Sequence, residues 1–489
     1  MELWSRADPQ LREVVWFALR CRALALLLQA SCNPLVLQAV FNLLIPDHAA
    51  DAFSPPRPGP RGGWDALLER LLGGLGRWDA EHFLFIAERG YLLEHNCAFL
   101  PLFPLALRLL AALLPCPVPL QPRSRLLLAA ALLNAALSPA GVFMAAAYSE
   151  SAFAALAFSA MWQLETGRWR LGGLLFALAA GARANGLLNA GFVLYARARR
   201  FALQLQGTAA SPRELPVLCR RLLGLVSSSA LMCAAIFLPF AVFQYYAYVR
   251  FCEAGAGLAP SVPGALLQLA RDKGYRVAGV GEAKPPWCSQ RFPLVYSYIQ
   301  DTYWNVGFLR YFELRQIPNF LLALPVTLLC SWAAWTYVSM NPRHCLTLGL
   351  ERSKSEERGK ARDGFCGPAA FVYVVHSTAL LVFGFFCMHV QVLTRFLGSS
   401  SPILYWFSAH LLLEHEPLLW STGTDNPASG KPLLGKSHSS SGKGTSDNPV
   451  VRLLLNWRST TPLSKSILGF FLGYWLLGLI LHCNFLPWT

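Results

Sequence analysis

Apolar residues in this chain gather into runs long enough to cross a bilayer, and charged residues collect in the stretches between them. A spanning helix takes about 20 apolar residues, and runs of that order recur along the sequence. Charged residues make up 14% of the 489 positions, whereas a soluble domain carries roughly a quarter. Only helices or closed barrels satisfy every backbone hydrogen bond inside a bilayer. With apolar runs of helix-spanning length, the expected fold is an all-α polytopic membrane protein, with residues 1–489 as one integrated multi-span domain.

The apolar runs lie at 13–45 and near 97–114, 126–146, 151–164, 171–195, 222–246, 316–339, 369–390, 402–413 and 466–486. The first begins like a signal peptide, with Arg12, Arg20 and Arg22 before "ALALLLQASC". Its apolar character continues past any cleavage point, so an uncleaved first span is expected. The run at 171–195 has basic residues at both ends and "GARANG" at its middle. Two short helices meeting at Arg183-Ala184-Asn185-Gly186 keep both basic ends on one face and lift Arg183 to the other; the two glycines suit the turn.

Charge sets the orientation. The stretches 197–221 and 341–363 each hold six Lys or Arg, while the longer 250–315 holds eight. The positive-inside rule makes the dense stretches cytosolic and puts loops 46–96 and 250–315 on the opposite face. Residues 421–448, rich in Ser, Gly and Lys, read as a low-complexity cytosolic linker. The net charge of +15 is explained by this topology, and nucleic acid is not expected as a partner. The thirteen cysteines show no CxxC pair and no zinc spacing, so no metal is expected. Cys252 and Cys288 share one long loop and can pair if that loop faces an oxidising lumen.

Ionised side chains at membrane depth are costly, so those near span ends are functional candidates. Five groups fall on the non-cytosolic side. They are Asp47-His48 in "IPDHAADAF", "GRWDAEHFLFIAERGY" from Gly76, Tyr148-Ser149-Glu150, Arg183 with Asn185, and Arg395 in "HVQVLTRFLGSSSP". In the second, Asp79, His82, Phe83 and Ile86 share a helical face. Trp78, Phe83, Phe85 and Tyr91 are residue types found at headgroup level. Two readings stand: an interfacial helix presenting Asp79 as a general base, or a solvated amphipathic helix with ordinary surface acids. Arg183 and Arg395 suit phosphate recognition through forked donors, or plain snorkelling at a span end. An enzyme acting on a lipid-linked phosphate substrate fits these end-placed groups. The alternative is a transporter or flippase for a lipid-linked or phosphorylated substrate. That reading asks for internal repeats and deeper charges.

The strings "IPDHAADAFSPP", "RLLGGLGRWDAEHFLFIAERGYL", "FLPFAVFQYYAY", "YSYIQDTYWNVGFLRYFELRQIPNFLLA", "MHVQVLTRFLGSSSPILYWFSAHLL" and "LHCNFLPWT" are idiosyncratic and run over nearly the whole chain. They resemble the PIG-V family, which adds the second mannose of the glycosylphosphatidylinositol (GPI) anchor. The resemblance implies a GT-C glycosyltransferase bundle in the endoplasmic-reticulum membrane, with its active site on lumenal loops. It implies an inverting α-1,6-mannosyltransferase that uses dolichyl-phosphate mannose as donor substrate, the GPI precursor as acceptor and no cofactor. It also implies Asp79 as base with Trp78 beside it. Asp47, His48, Glu81, His82, Glu150, Asn185, Arg183 and Arg395 are then the expected substrate contacts. No protein subunit is named by the sequence. Two departures stand out: "ASCNPLVLQAVFN" is longer than the family pattern. Between Asn134 and Leu137 the pattern implies an additional span and loop that this chain lacks.

Overall fold

The computed structural model describes residues 9–32, 52–57, 59, 62–115, 118–137, 146–206, 215–253, 262–280, 284–350, 364–420 and 448–483. Its principal helices are α1 (Pro9–Cys32), α2 (Gly63–Leu72), α3 (Asp79–Arg89), α4 (Leu102–Leu113), α5 (Pro122–Leu137), α6 (Glu150–Glu165), α7 (Trp169–Ala182) and α8 (Ala190–Gln206). They continue with α9 (Leu215–Tyr248), α10 (Gly264–Lys273), α11 (Val295–Thr302), α12 (Ile317–Met340), α13 (Phe371–Cys387), α14 (Leu393–Ser400), α15 (Ile403–His415) and α16 (Pro462–Cys483). Among the described residues the β structure is an isolated bridge between Leu93 and Val277. The all-α expectation therefore holds.

Among the described residues, four helical stretches are long and apolar enough to cross a membrane: Pro216–Glu253, Leu314–Met340, Pro368–Cys387 and Pro462–Cys483. Other expected spans are shorter in the structure. The run at 97–114 yields only the 12 residues of α4, about 18 Å at 1.5 Å per residue. It is apolar on both faces: Phe103, Leu107 and Ala111 are buried in the cluster shared with α3 and α5, while Leu105, Leu109 and Leu113 are exposed. At this length the helix is too short for a full crossing by itself. The runs at 151–164 and 402–413 give α6 with 16 residues and α15 with 13.

The 171–195 run folds as expected, into two helices joined by a 3₁₀ turn at Ala184–Asn189. Met232 of α9 packs on Gly173, and Pro239 lies beside Gly181, so α7 and α9 run the same way. Arg197 of α8 donates from Nε to Ser229 at 2.9 Å, and its guanidinium lies over Trp169 at the start of α7. Residue 197 has therefore returned to the level of residue 169. The hairpin keeps its basic ends together and carries Arg183 and Asn185 to the opposite end.

The largest buried cluster joins α6 to α9 with α12 to α16, through side chains such as Phe176, Val326, Leu380 and Phe407. A second holds α3, α4 and α5 together around Phe83, Leu84, Phe103 and Leu127. Between the two loops that share one face, Ile86, Tyr91, Phe243, Trp287 and Ile299 form a third. Cys252 and Cys288 are disulfide-bonded there, with Cα atoms 5.7 Å apart.

The hairpin apex is packed backbone to backbone. A Cβ on Gly186 would stand 2.6 Å from the Ala180 Cα and 2.7 Å from its nitrogen, and main chain cannot swing aside as a side chain can. Gly186→Ala should destabilise the protein by about 1–3 kcal/mol, the usual range for overpacking. A thermal-unfolding midpoint in detergent unchanged by the substitution would mean that the apex is looser than described.

Candidate active site

Helix α3 starts where the chain is forced to turn. Trp78 precedes it at φ 54° and ψ −130°, on the positive-φ side that an ordinary L-residue avoids. Such backbone persists only where its surroundings hold it, and the Trp78 side chain packs against the α3–α5 cluster. The turn aims Asp79 outward as the first residue of the helix, where the helix dipole favours a negative charge. At the other end Arg108 donates from Nε to the Ala87 carbonyl at 2.6 Å and from Nη2 to the Glu88 carbonyl at 2.9 Å. Those bonds satisfy carbonyls that a helix C-terminus leaves open.

Four separate elements deliver charge to the same point. Asp79 Oδ2 lies 2.8 Å from Arg395 Nη1, a contact across 316 residues of sequence. The same nitrogen is 3.4 Å from Glu150 Oε1, at the first residue of α6. Glu150 Oε1 is in turn 2.6 Å from Arg183 Nη1, at the hairpin apex. Arg183 also donates to Ser149 Oγ at 3.3 Å, and Asn185 donates to Ser400 Oγ at 2.8 Å. The Arg395 guanidinium sits over the Tyr148 ring, 5.4 Å from its centroid, and His482 near the end of α16 packs against that ring.

Exposure separates the members of this array. The Glu150 side chain is fully buried and that of Arg395 is 11% exposed, whereas 38% of the Asp79 side chain is open. Burial by itself would raise the Asp79 carboxyl. Arg395, together with His82 and Arg183, outweighs that effect and holds the group below its ordinary value. Burial would lower Arg395, and Asp79 with Glu150 reverse this, so it stays protonated. Burial pushes the Tyr148 phenol up and keeps it neutral. The arrangement offers one reachable, ionised carboxylate beside a fixed cation, which suits proton abstraction next to a bound anion.

Asp79, Glu150, Arg183, Asn185 and Arg395 therefore come together. Asp47 and His48 lie outside the described residues. Glu81 and His82 have different surroundings from Asp79. Glu81 is bound by Arg123 through two bonds of 2.9 Å, and Arg57 adds a third, tying α3 to α5 and to the chain before α2. His82 is stacked between Phe53 and Phe99, with ring centroids 4.4 and 4.5 Å away, and Nδ1 meets the Asn96 side-chain Oδ1 at 2.8 Å. Burial lowers its pKa and leaves a neutral ring, against the pull of Asn96. A residue missed in the sequence is Glu94. Fully buried, it accepts from Trp287 Nε1 at 2.8 Å and from the Tyr303 hydroxyl at 2.9 Å, joining the two loops. Its signal was the aromatic density of the second loop, which gave no pairing for a single acid.

Comparison with known proteins gives this geometry a family. The model described as "Mannosyltransferase (PIG-V)" matches residues 11–136 and 121–489. The chain belongs to the PIG-V mannosyltransferase family. The two matched pieces overlap at 121–136. "GPI alpha-1,6-mannosyltransferase 2" of Mus musculus is 53% identical over 99% of both chains. The Homo sapiens protein of that name is 51% identical over the full length of both. "GPI mannosyltransferase 2" of Drosophila melanogaster is 31% identical over 77% of this chain and 87% of its own. No solved structure matches the chain. PIG-V membership makes this protein a glycosyltransferase, and nothing in the comparisons supports the transporter reading.

The split between Asp79 and Glu81 gives a paired expectation for this PIG-V protein. Asp79→Asn should leave the fold intact and lower mannosyl transfer by about 10²–10⁴-fold, the usual weight of a general base. Glu81→Ala should instead destabilise the chain by about 3–5 kcal/mol, because two arginines lose a buried partner. Transfer rates and unfolding midpoints on the same preparations decide it; near-normal transfer by Asp79→Asn would remove Asp79 from the chemistry.

Proposed function

We propose that this chain transfers the second mannose of the GPI anchor, from dolichyl-phosphate mannose to the 6-hydroxyl of the mannose on the lipid-linked precursor. The observation that carries this reading is the contact of Asp79 with Arg395, a base and a cation at one end of the helical bundle. Its substrate assignment follows the names of the full-length relatives. The donor sugar is β-linked and the product α-linked, so one displacement with inversion suffices. The acceptor oxygen attacks mannose C1 and its proton passes to Asp79. The bond from C1 to the phosphate oxygen breaks, and its electron pair leaves with dolichyl phosphate. A lipid phosphate is already a good leaving group, so the protein needs a base, positioning and a cation.

Arg395 is the proposed phosphate contact, assisted by Arg183. Asn185, held by its bond to Ser400, is the proposed contact for a sugar hydroxyl. The site is assigned to the lumenal face of the endoplasmic-reticulum membrane. The Cys252–Cys288 disulfide in the loop on that side supports an oxidising compartment, and the basic ends of α7 and α8 lie at the other end.

Expression of the chain in cells lacking the second-mannose step should restore surface display of GPI-anchored proteins; a well-expressed chain that restores none would overturn the assignment. In a membrane assay, Arg395→Ala should raise the KM for dolichyl-phosphate mannose about tenfold or more, as expected for a lost charge-assisted bond. An unchanged donor KM would argue against the phosphate contact.

A further inference from the structure

Arg395 Nη1 stands between two carboxylates, Asp79 Oδ2 at 2.8 Å and Glu150 Oε1 at 3.4 Å. They are not equivalent. Asp79 is the open one, at the start of a loop helix, while Glu150 is fully buried and also bound to Arg183 at 2.6 Å. An inverting displacement places base and leaving group on opposite faces of the sugar carbon. In the reacting arrangement, mannose must therefore lie between Asp79 and the phosphate. If Arg395 holds that phosphate, its direct contact with Asp79 has to open when the donor is seated. Something must keep Arg395 from following the base.

We infer that Glu150 is a positioning residue, which anchors Arg395 on the phosphate side and lets Asp79 be released as a base. The inference rests on the mannosyl-transfer reading above. Charge is consistent with it. The resting set of Asp79, Glu150, Arg183 and Arg395 sums to zero, and a phosphodiester brings it to minus one. Transfer leaves that sum unchanged, because Asp79 gains a proton as the phosphate gains a negative charge. Removing the Glu150 charge disturbs the balance in a definite direction. Arg395 would keep Asp79 as its remaining carboxylate partner in this array, so the base would be bound more tightly. The donor phosphate would meet an extra positive charge and bind no worse.

The test is Glu150→Gln in the full-length chain, purified and assayed with dolichyl-phosphate mannose and the lipid-linked acceptor. Rates are expressed per folded enzyme, with folding followed by thermal unfolding. The expected result is a kcat at least tenfold lower with a donor KM equal to or below that of wild type. This is the reverse of the Arg395→Ala pattern. Glu150→Asp, which keeps the charge, should recover part of the lost kcat. A donor KM raised fivefold or more at normal kcat would make Glu150 a substrate contact and overturn the inference. An unchanged kcat per folded enzyme would overturn it too, leaving a purely structural role. In both cases an active wild type keeps the parent reading standing. A wild-type chain inactive on this substrate pair overturns the parent reading and the inference with it.

Discussion

Charge at the edge of a bilayer has to be matched, and the site is built around that requirement. Two arginines and two acids, from positions 79, 150, 183 and 395, meet within bonding distance of one another. A lone buried ion in this setting would cost several kcal/mol, so each member depends on the others being in place. Pairing gives the set its stability, and uneven exposure gives it its use. The inner pair, Glu150 with Arg183, is fixed by the hairpin apex and the start of α6. The outer carboxylate, Asp79, is the one that solvent can reach.

The surroundings of α3 explain how an exposed carboxylate can keep a definite position. The helix is held from below by Glu81 with Arg123 and Arg57, and from the side by the stack of Phe53, His82 and Phe99. Arg108 closes its far end. Glu94 then ties the following turn to Trp287 and Tyr303 in the second loop. The acids and the histidine that crowd around Asp79 in sequence thus support the helix, and Asp79 itself stays partly exposed. Precise placement of a reacting group by packed neighbours is what proximity effects require.

Much of the architecture was legible in the sequence because membrane folds are written in run length and charge. The break at Arg183-Ala184-Asn185-Gly186 was visible as basic residues flanking both ends of one apolar run, and α7 and α8 follow it. The candidate polar groups at span ends were also identifiable, since unpaired charge is penalised there. The run at 97–114 gives an apolar helix of only 12 residues, shorter than the run itself. Helical spacing misled at His82, which shares a face with Asp79 but turns into an aromatic cage. The contacts Asp79–Arg395 and Glu94–Trp287 join residues 316 and 193 positions apart. No local periodicity encodes such pairs; they exist only once the helices are assembled.

Inverting transfer to one hydroxyl leaves its record in the product, which reports on it most directly. Purified chain, supplied with β-linked dolichyl-phosphate mannose and the singly mannosylated precursor, should form one new mannosidic bond. The account predicts an α configuration at O6 of the acceptor mannose, read by digestion with linkage-specific α-mannosidases and by NMR of the released glycan. A β-linked product, or transfer to any other hydroxyl, would contradict it.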